Sequence, residues 1–409
     1  MPQAEQPENQ QPAESPDAVP ANACKTSSIL FLSTYFFCFY AILGSYLPFM
    51  GLFFQNERGF SGIQIGRIFS IRQLMIALAP PVWGMISDRV QRPRTLLAIG
   101  LAGSLVTLLL FDHVMLYWQT VVLMFVFASF NAPLFPLADS ITLAYTHDCR
   151  GDFGRIRSLG SLGFVVVNLA LFFLIRHTGR IGPVFYAGSA FSLLALVLVP
   201  SLPDVRVARR GLVVKRAIKL FTSTNMLVFT ICAIAGNASM MAYYAFFPNY
   251  LDSLGFRREW LGLISAIGAL SEIPFIFFAA VLVRKLGIKP VLAAGLCGIA
   301  LRLFVLSLAP APAIILLSQT LHSLTFGALM IGGIIHINNV APKDLRASAQ
   351  SVYIALTLGA GGLIGGQISG ALYDMLGVFH MMLANAGISA AALILFLIAF
   401  RTKNTPQGA

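Results

Sequence analysis

Residues 62–111 read GIQIGRIFSIRQLMIALAPPVWGMISDRVQRPRTLLAIGLAGSLVTLLLF, and this stretch decides the fold. Two apolar runs, 62–87 and 95–111, are joined by a short segment that contains three arginines and one aspartate. An apolar run of about 20 residues can cross the roughly 30 Å hydrocarbon core of a membrane as a helix. The stretch therefore predicts two membrane helices connected by a basic loop.

The same pattern recurs along all 409 residues, of which 57% are hydrophobic and only 11% are charged. Soluble domains contain about 25% charged residues, so a soluble globular fold is excluded. We predict an all-α membrane protein with twelve transmembrane helices in two six-helix bundles. The predicted spans are residues 29–54, 62–87, 95–111, 116–145, 153–175, 183–201, 225–251, 260–283, 290–308, 312–338, 346–373 and 378–400.

The distribution of positive charge predicts the orientation in the membrane. The formal net charge is +12, and the segments on the side of the N-terminus hold most of the 28 Lys and Arg residues. Positively charged loops stay in the cytoplasm, so both termini are expected there, in a bacterial inner (plasma) membrane. We expect contact with membrane lipid, no nucleic-acid partner and a monomer. The predicted domains are a disordered cytoplasmic tail (1–28), an N-terminal bundle (29–201), a cytoplasmic linker (202–224), a C-terminal bundle (225–400) and a cytoplasmic tail (401–409).

Motifs that would indicate an enzyme are absent from the sequence. The five cysteines are scattered and have neither metal-ligand spacing nor a disulfide pattern. There is no nucleophile elbow, His–Glu metal motif or phosphate-binding loop. We therefore expect no enzyme activity, no metal site and no cofactor, with a proton gradient rather than ATP as the energy source.

Five charged or titratable residues lie within otherwise apolar runs: Asp139, Arg157, Glu272, Arg302 and His322. A charge in the hydrocarbon core is costly unless it is paired or faces a wet cavity, which makes such residues functional candidates. They occur in both halves of the chain. Their pattern indicates a polar, small-molecule substrate site that handles protons near the middle of the bilayer.

Asp139 and Arg157 are the candidates in the first half. Asp139 follows Pro133 and Pro136 in the fourth span, where lost helix hydrogen bonds disturb the helix and favour a cavity-lining position. Antiparallel packing of neighbouring spans would bring Arg157 close to Asp139. The glycines that would allow close packing are Gly154, Gly160 and Gly163. The pair is assigned to substrate binding or coupling, with a purely structural ion pair as the alternative.

Glu272, Arg302 and His322 lie at similar depth on three successive spans of the second half. An acid, a guanidinium and an imidazole in this arrangement form a candidate proton relay. The alternative for His322 is a histidine that only packs in the core.

Arg72 lies in the middle of the second span without an acid in that helix, so it either pairs with Asp139 or meets an anionic substrate. The deep arginines outnumber the deep acids by one. A monocarboxylate substrate would balance this charge, whereas a site for a neutral sugar should balance internally. Tyr243 and Tyr244, in the aromatic-rich seventh span, are candidate contacts for an aromatic substrate. The alternative for these tyrosines is ordinary aromatic packing in a membrane core.

The basic loop at 84–94 resembles the loop signature of the major facilitator superfamily, with Gln91 where a glycine is usual. In that superfamily the acid and the arginines link helix ends across the cytoplasmic face and bias the inward/outward equilibrium. The resemblance assigns a role in conformational gating to Gly84, Asp88, Arg89 and Arg92. A weaker copy of the segment, which lacks the acid, occurs at 283–295. Internal repeats of this kind are typical of transporters whose site lies between two bundles.

Further segments resemble the lactose permease group of this superfamily, and within it the phenylpropionate permease family. The segments that carry this resemblance are 136–139, 153–163, 242–244, 269–272 and 321–326. The resemblance implies proton-driven uptake of aromatic acids. It implies substrate contact by Asp139 and Arg157, substrate contact and coupling by Glu272, and coupling by Arg302 and His322.

Two positions depart from the lactose permease group. Thr325 stands where that group has a coupling carboxylate, and Gln319 replaces a charged residue. A threonine hydroxyl carries no proton at these pH values. The proton carrier is therefore left open among Glu272, Asp139 and His322.

We predict a secondary active transporter that carries a small organic, aromatic carboxylate such as phenylpropionate together with protons by alternating access. The alternatives are a nucleoside or sugar proton symporter and an exporter of metabolites or drugs, because the sequence does not set the direction of flux. A membrane sensor without transport is a further alternative from a different class.

Overall fold

The computed structural model describes residues 25–149, 153–205, 214–342 and 344–401. The main elements of these residues are eleven helices. They are α1 (Thr26–Asn56), α2 (Gly62–Val90), α3 (Pro93–Phe111), α4 (Tyr117–Thr146), α5 (Phe153–Thr178), α6 (Pro183–Ser201), α7 (Thr224–Ser253), α8 (Trp260–Leu286), α9 (Ile288–Ser307), α10 (Pro312–Val340) and α11 (Arg346–Ala399). A short helix, Val214–Leu220, precedes α7. The predicted tails lie almost wholly outside the described residues.

Ten of these helices, all except α8, are long and apolar enough to cross a membrane. The apolar part of α8, Trp260–Phe275, is shorter, although the helix itself has 27 residues. Each predicted span lies on one of the eleven helices. The all-α membrane architecture predicted from the sequence is thereby confirmed, and the protein is an integral membrane protein.

The last helix, α11, contains two of the predicted spans. It has 54 residues, which corresponds to roughly 80 Å at 1.5 Å per residue, more than twice the thickness of a bilayer core. Gly377 interrupts it with φ 76° and ψ 172°, a conformation that favours glycine because a side chain would clash there. The interruption lies between the predicted spans 346–373 and 378–400.

Two other membrane helices, α4 and α10, are irregular near the predicted site residues Asp139 and His322. The regular helix in α4 ends at Asn131 and resumes at Leu134, so the disturbance predicted for Pro133 is present. Within α10, the backbone changes to a 3₁₀ turn at Gln319–Leu321 and to a π-helical turn at Ser323–Ala328. Such turns inside α-helices are often found at functional sites.

Close packing of α5 depends on two of the predicted glycines. A Cβ on Gly160 would collide with the Tyr40 ring, and a Cβ on Gly163 would collide with the backbone carbonyl of Phe37. Both contacts are with α1, so these glycines seat α5 on α1. The reason is topological, because α1 packs along α5 whereas α4 touches it only briefly.

The first and second halves of the chain meet tightly at the membrane face where α2 begins. Gly66 of α2 packs against the backbone of Gly366 in α11, leaving no space for a Cβ. Both carboxylate oxygens of Asp374 accept hydrogen bonds from the first turn of α2, from Gly62 N at 2.6 Å and Ile63 N at 2.8 Å. At the same face, Gly262 of α8 packs against the carbonyl oxygen of Asn168 in α5.

The opposite face, where α2 ends, contains a cavity of about 410 Å³. Its lining combines Leu143 of α4 with the end of α10 and the start of α11. The residues from the second half are Asn338, Asn339, Arg346, Ala347 and Gln350. The two halves therefore close at one membrane face and leave a cavity between them at the other.

Candidate functional site

Arg302 in α9 is the centre of a buried polar cluster, with 0% of its surface exposed. One guanidinium nitrogen, Nη1, lies 3.0 Å from His322 Nδ1, and the other, Nη2, donates to Gln319 Oε1 at 2.7 Å. The guanidinium carbon also lies 3.8 Å from the centre of the Tyr243 ring. A desolvated cation–π contact of this kind is worth about 2 kcal/mol. Arg302 is thus held from two sides, by α10 and by α7.

The local backbone of α10 explains how two side chains reach the same guanidinium. Gln319 begins the 3₁₀ turn, and His322 caps it. In a 3₁₀ helix, with three residues per turn, side chains at positions i and i+3 point in the same direction. Gln319 and His322 therefore both face Arg302.

Hydrogen-bond directions determine the tautomer of His322. The guanidinium of Arg302 has only donors, so His322 Nδ1 must accept, and the imidazole proton lies on Nε2. This Nε2–H donates to Glu272 Oε1 of α8, at 2.8 Å. The three residues form a continuous chain from Arg302 through His322 to Glu272.

Asp139 and Arg157 form the predicted pair in the first half. Arg157 Nη1 lies 3.9 Å from Asp139 Oδ2, and the guanidinium stacks 4.6 Å from the ring centre of Phe135. The pair is loose, with 39% of the Arg157 side chain exposed. Asp139 Oδ1 is buried and has no hydrogen-bond partner within the described parts of the chain. The arrangement leaves Arg157 able to bind another anion.

Tyr40 of α1 belongs to the cluster in the first half. Its hydroxyl is hydrogen-bonded to Arg157, and its ring centre lies 6.1 Å from that of Phe135, over which Arg157 stacks. Tyr40 belongs to the aromatic-rich first span, but nothing in the sequence distinguishes it from its aromatic neighbours.

Two other predicted substrate contacts, Tyr243 and Tyr244, lie beside the Arg302 cluster. The Tyr244 ring lies 6.1 Å from the His322 ring and 5.8 Å from that of Tyr243, so both tyrosines border the cluster. Arg72 is half-buried on α2 and makes no hydrogen bond or ion pair to any residue that the structure describes. The alternative in which Arg72 pairs with Asp139 is therefore not the arrangement seen, because Asp139 pairs with Arg157.

Of the predicted gating residues, Gly84, Asp88 and Arg89 lie in the last turns of α2 and Arg92 lies just before α3, on the face with the cavity. Gln91 ends α2 in the left-handed conformation, with φ 53°, and its side chain donates to the backbone oxygen of Asp88 at 2.9 Å. Within the described residues, Asp88, Arg89 and Arg92 make no ion pair. A Cβ on Gly84 would meet open space, so local packing does not require glycine there.

Comparisons with known proteins identify the class. The chain belongs to the MFS_1 like family, whose profile matches residues 29–384. The predicted membership of the major facilitator superfamily is thus confirmed, and the protein is a secondary transporter rather than an enzyme.

Similar proteins cover most of the chain. The "Uncharacterized transporter YwbF" of Bacillus subtilis is 28% identical, over 88% of this chain and 92% of its own length. The maltose permease of Geobacillus stearothermophilus is 26% identical over 95% and 98%. The crystal structure of the nucleoside transporter NupG superposes with a TM-score of 0.83, at 22% identity, over 93% of this chain and 100% of that one.

The predicted closer resemblance to phenylpropionate permeases is not singled out by these comparisons. The "Probable 3-phenylpropionic acid transporter" of Escherichia coli is similar, at 24% identity over 85% of this chain and 92% of its own. The maltose and nucleoside permeases are at least as similar. These similarities establish the family and do not single out one substrate.

Proposed function

We propose that the protein is a proton-coupled symporter of a small organic carboxylate, with aromatic acids such as 3-phenylpropionate as the leading substrates. The observation that carries the proposal is the chain from Arg302 through His322 to Glu272, which joins three helices inside the membrane. Such an intramembrane chain of a fixed cation, an imidazole and an acid is suited to proton handling.

Glu272 is the proposed proton carrier, and Asp139 is the second acid available for coupling. The Nη1 contact of Arg302 blocks His322 Nδ1, so an incoming proton goes to the Glu272 carboxylate. Thr325 takes no part in this step, because its hydroxyl is buried and donates to the backbone oxygen of His322 at 3.1 Å. Once Glu272 is neutral, the charge of Arg302 is no longer balanced within its own cluster.

The proposed substrate site lies between this cluster and the Asp139–Arg157 pair. Arg157 is only loosely paired, and Arg72 makes no contact with a described acid, so a substrate carboxylate has cations to bind. Tyr40 offers an aromatic ring and a hydroxyl group beside Arg157, and Tyr244 offers the same groups beside His322. An aromatic acid satisfies both the charge and the ring surface, whereas a neutral sugar would leave the extra positive charge unbalanced.

We further propose twelve transmembrane helices, arranged as bundles 29–201 and 225–400 joined by the cytoplasmic linker 202–224. The protein would act as a monomer surrounded by lipid in a bacterial inner membrane, with both terminal tails in the cytoplasm. On this orientation the closed face is extracytoplasmic and the cavity opens inward. Transport then requires the bundles to rock about the site, with the loop that contains Gly84, Asp88, Arg89 and Arg92 acting at the cytoplasmic face.

The proposed function is tested in sealed proteoliposomes. With an inward proton gradient and labelled 3-phenylpropionate outside, we expect accumulation above equilibrium that a protonophore abolishes. Glu272→Gln should lose the accumulation. Absence of gradient-driven accumulation by the wild-type protein would contradict the proposal for this substrate.

A nucleoside or sugar proton symporter is the alternative that the relatives favour, since two of them are named as nucleoside and maltose permeases. The same proteoliposomes distinguish this alternative from transport of an aromatic acid. Uridine or maltose that competes with, or replaces, 3-phenylpropionate under the same gradient would support this alternative. Loading the vesicles and reversing the gradient tests export.

A further inference from the structure

Gln319 is the buried residue in this cluster that the proposed mechanism leaves without a role. It is 0% exposed, and its amide oxygen accepts from Arg302 Nη2 at 2.7 Å and from the Tyr243 hydroxyl at 2.6 Å. Its amide nitrogen donates to the Ile315 carbonyl at 3.0 Å and to the Ser318 hydroxyl at 3.3 Å. Both lone pairs and both hydrogens of the amide are therefore used.

These contacts fix the orientation of the amide. Arg302 and the Tyr243 hydroxyl offer donors on one side, whereas the Ile315 carbonyl is an acceptor on the other, so the oxygen can face only the guanidinium. The same oxygen holds the Tyr243 hydroxyl beside Arg302, which keeps the ring over the guanidinium plane. Gln319 thus sets the position of both partners.

The neutral charge of Gln319 has a consequence for the charge balance of Arg302. The guanidinium has two direct hydrogen-bond partners in the cluster, Gln319 and His322, and both are neutral in the arrangement seen. The acid of the cluster, Glu272, contacts His322 rather than the guanidinium itself. A carboxylate in place of the amide would lie in direct contact with the guanidinium and would balance it without Glu272.

We propose that Gln319 is a positioning residue that holds Arg302 and Tyr243 without neutralising the guanidinium, so that Glu272, acting through His322, is what balances the Arg302 charge. The inference rests on the proposed proton coupling and deepens it. The identity of residue 319 decides whether protonation of Glu272 changes the charge balance of Arg302, and hence the binding of the substrate carboxylate.

The first test is a double-mutant cycle on thermal stability, which needs no substrate. Glu272→Gln leaves the Arg302 charge unbalanced, so the Tm of the purified protein should fall. Gln319→Glu in the Glu272→Gln background should restore at least half of that loss, although it lowers Tm in the wild-type background by adding a second acid. Additive effects of the two substitutions would overturn the proposal.

Two control variants separate charge from packing in this cycle. Gln319→Leu removes the hydrogen bonds without adding a charge, so it should lower Tm in both backgrounds and rescue neither. Gln64→Glu makes the same chemical change at the third position of α2, where the capping box accepts glutamate as well as glutamine. It should show no coupling to Glu272→Gln. Rescue by Gln319→Leu would also contradict the role assigned to charge.

The second test measures coupling in proteoliposomes with 3-phenylpropionate. Gln319→Glu should lower proton-gradient-driven accumulation by about tenfold or more, and should lower it by a larger factor than it lowers exchange of labelled for unlabelled substrate without a gradient. The pH dependence of the exchange KM should weaken in this variant. The titratable and charged groups of the cluster are Arg302, Glu272, His322, Tyr243 and Tyr244, and those of the pair in the first half are Arg157, Asp139 and the neighbouring Tyr40.

The two tests distinguish an error in the proposed substrate from an error in the role of Gln319. If the wild-type protein does not accumulate 3-phenylpropionate, the proposed substrate is wrong, and the stability cycle still decides the role of Gln319. If the wild type accumulates it and Gln319→Glu does so equally well, the inference about Gln319 is wrong while the proposed function stands.

Discussion

Removing the carboxylate of Asp374 should shift the protein away from the state that is closed where α2 begins. Asp374 accepts two backbone hydrogen bonds from the first turn of α2, at 2.6 and 2.8 Å, across the interface between the halves. Asparagine keeps one acceptor but loses the negative charge and the second hydrogen bond. The lost helix-dipole attraction and the lost bond add to about 2 kcal/mol, which partial solvent exposure reduces to about 1.5 kcal/mol. Asp374→Asn should therefore lower the ratio of closed to open molecules by roughly tenfold.

The assay is a distance measurement between spin labels at that face. Met115 and Met375 are both strongly exposed there and lie in the first and second halves, so cysteines at these positions report the opening. The native cysteines are replaced by serine first. Asp252→Asn is the matched control, because Asp252 accepts a single exposed hydrogen bond, from the Asn56 side chain at 3.2 Å. An unchanged distance distribution in Asp374→Asn, or an equal shift in both variants, would refute the reasoning.

Three further predictions concern single positions. Gln91→Val should be about 1–2 kcal/mol less stable than Gln91→Gly in thermal unfolding, because a β-branched residue is strained at φ 53°; equal stabilities would contradict this. Gly163→Ala should cost about 1–3 kcal/mol through its collision with the Phe37 carbonyl, whereas Gly84→Ala, which faces open space, should be neutral or slightly stabilising. Arg157→Lys should raise the KM for uptake about tenfold with little change in Tm, because an ammonium cannot reproduce the planar guanidinium; an unchanged KM would exclude substrate contact.

The membrane helices and the deep charges could be predicted from the sequence because their signals are local. An apolar run specifies a span by its length, and a charge inside it is visible by residue type alone. The depth of Glu272, Arg302 and His322 follows from counting residues along each span, and the structure does bring them into contact. The break before Leu134 follows in the same way from Pro133.

What could not be predicted depends on contacts between distant segments or on neutral residues. Gln319 has no charge, so a search for intramembrane charges passes over it, and its role appears only through its distances to Arg302 and Tyr243. Asp374 caps a helix 312 residues away, a pairing for which no local pattern exists. Gly160 and Gly163 were predicted to permit close packing, but the partner helix, α1 rather than α4, is a property of the tertiary arrangement.

The most direct test of the account is the number of protons that move with each substrate molecule in the wild-type protein and in Glu272→Gln. Proton uptake is followed with a pH-sensitive dye in proteoliposomes as labelled 3-phenylpropionate enters down its own gradient. We predict proton movement coupled to substrate entry for the wild type, and substrate exchange without proton movement for Glu272→Gln. Unchanged proton movement in that variant would contradict the assignment of Glu272 as the proton carrier, and with it the role of the Arg302–His322–Glu272 chain.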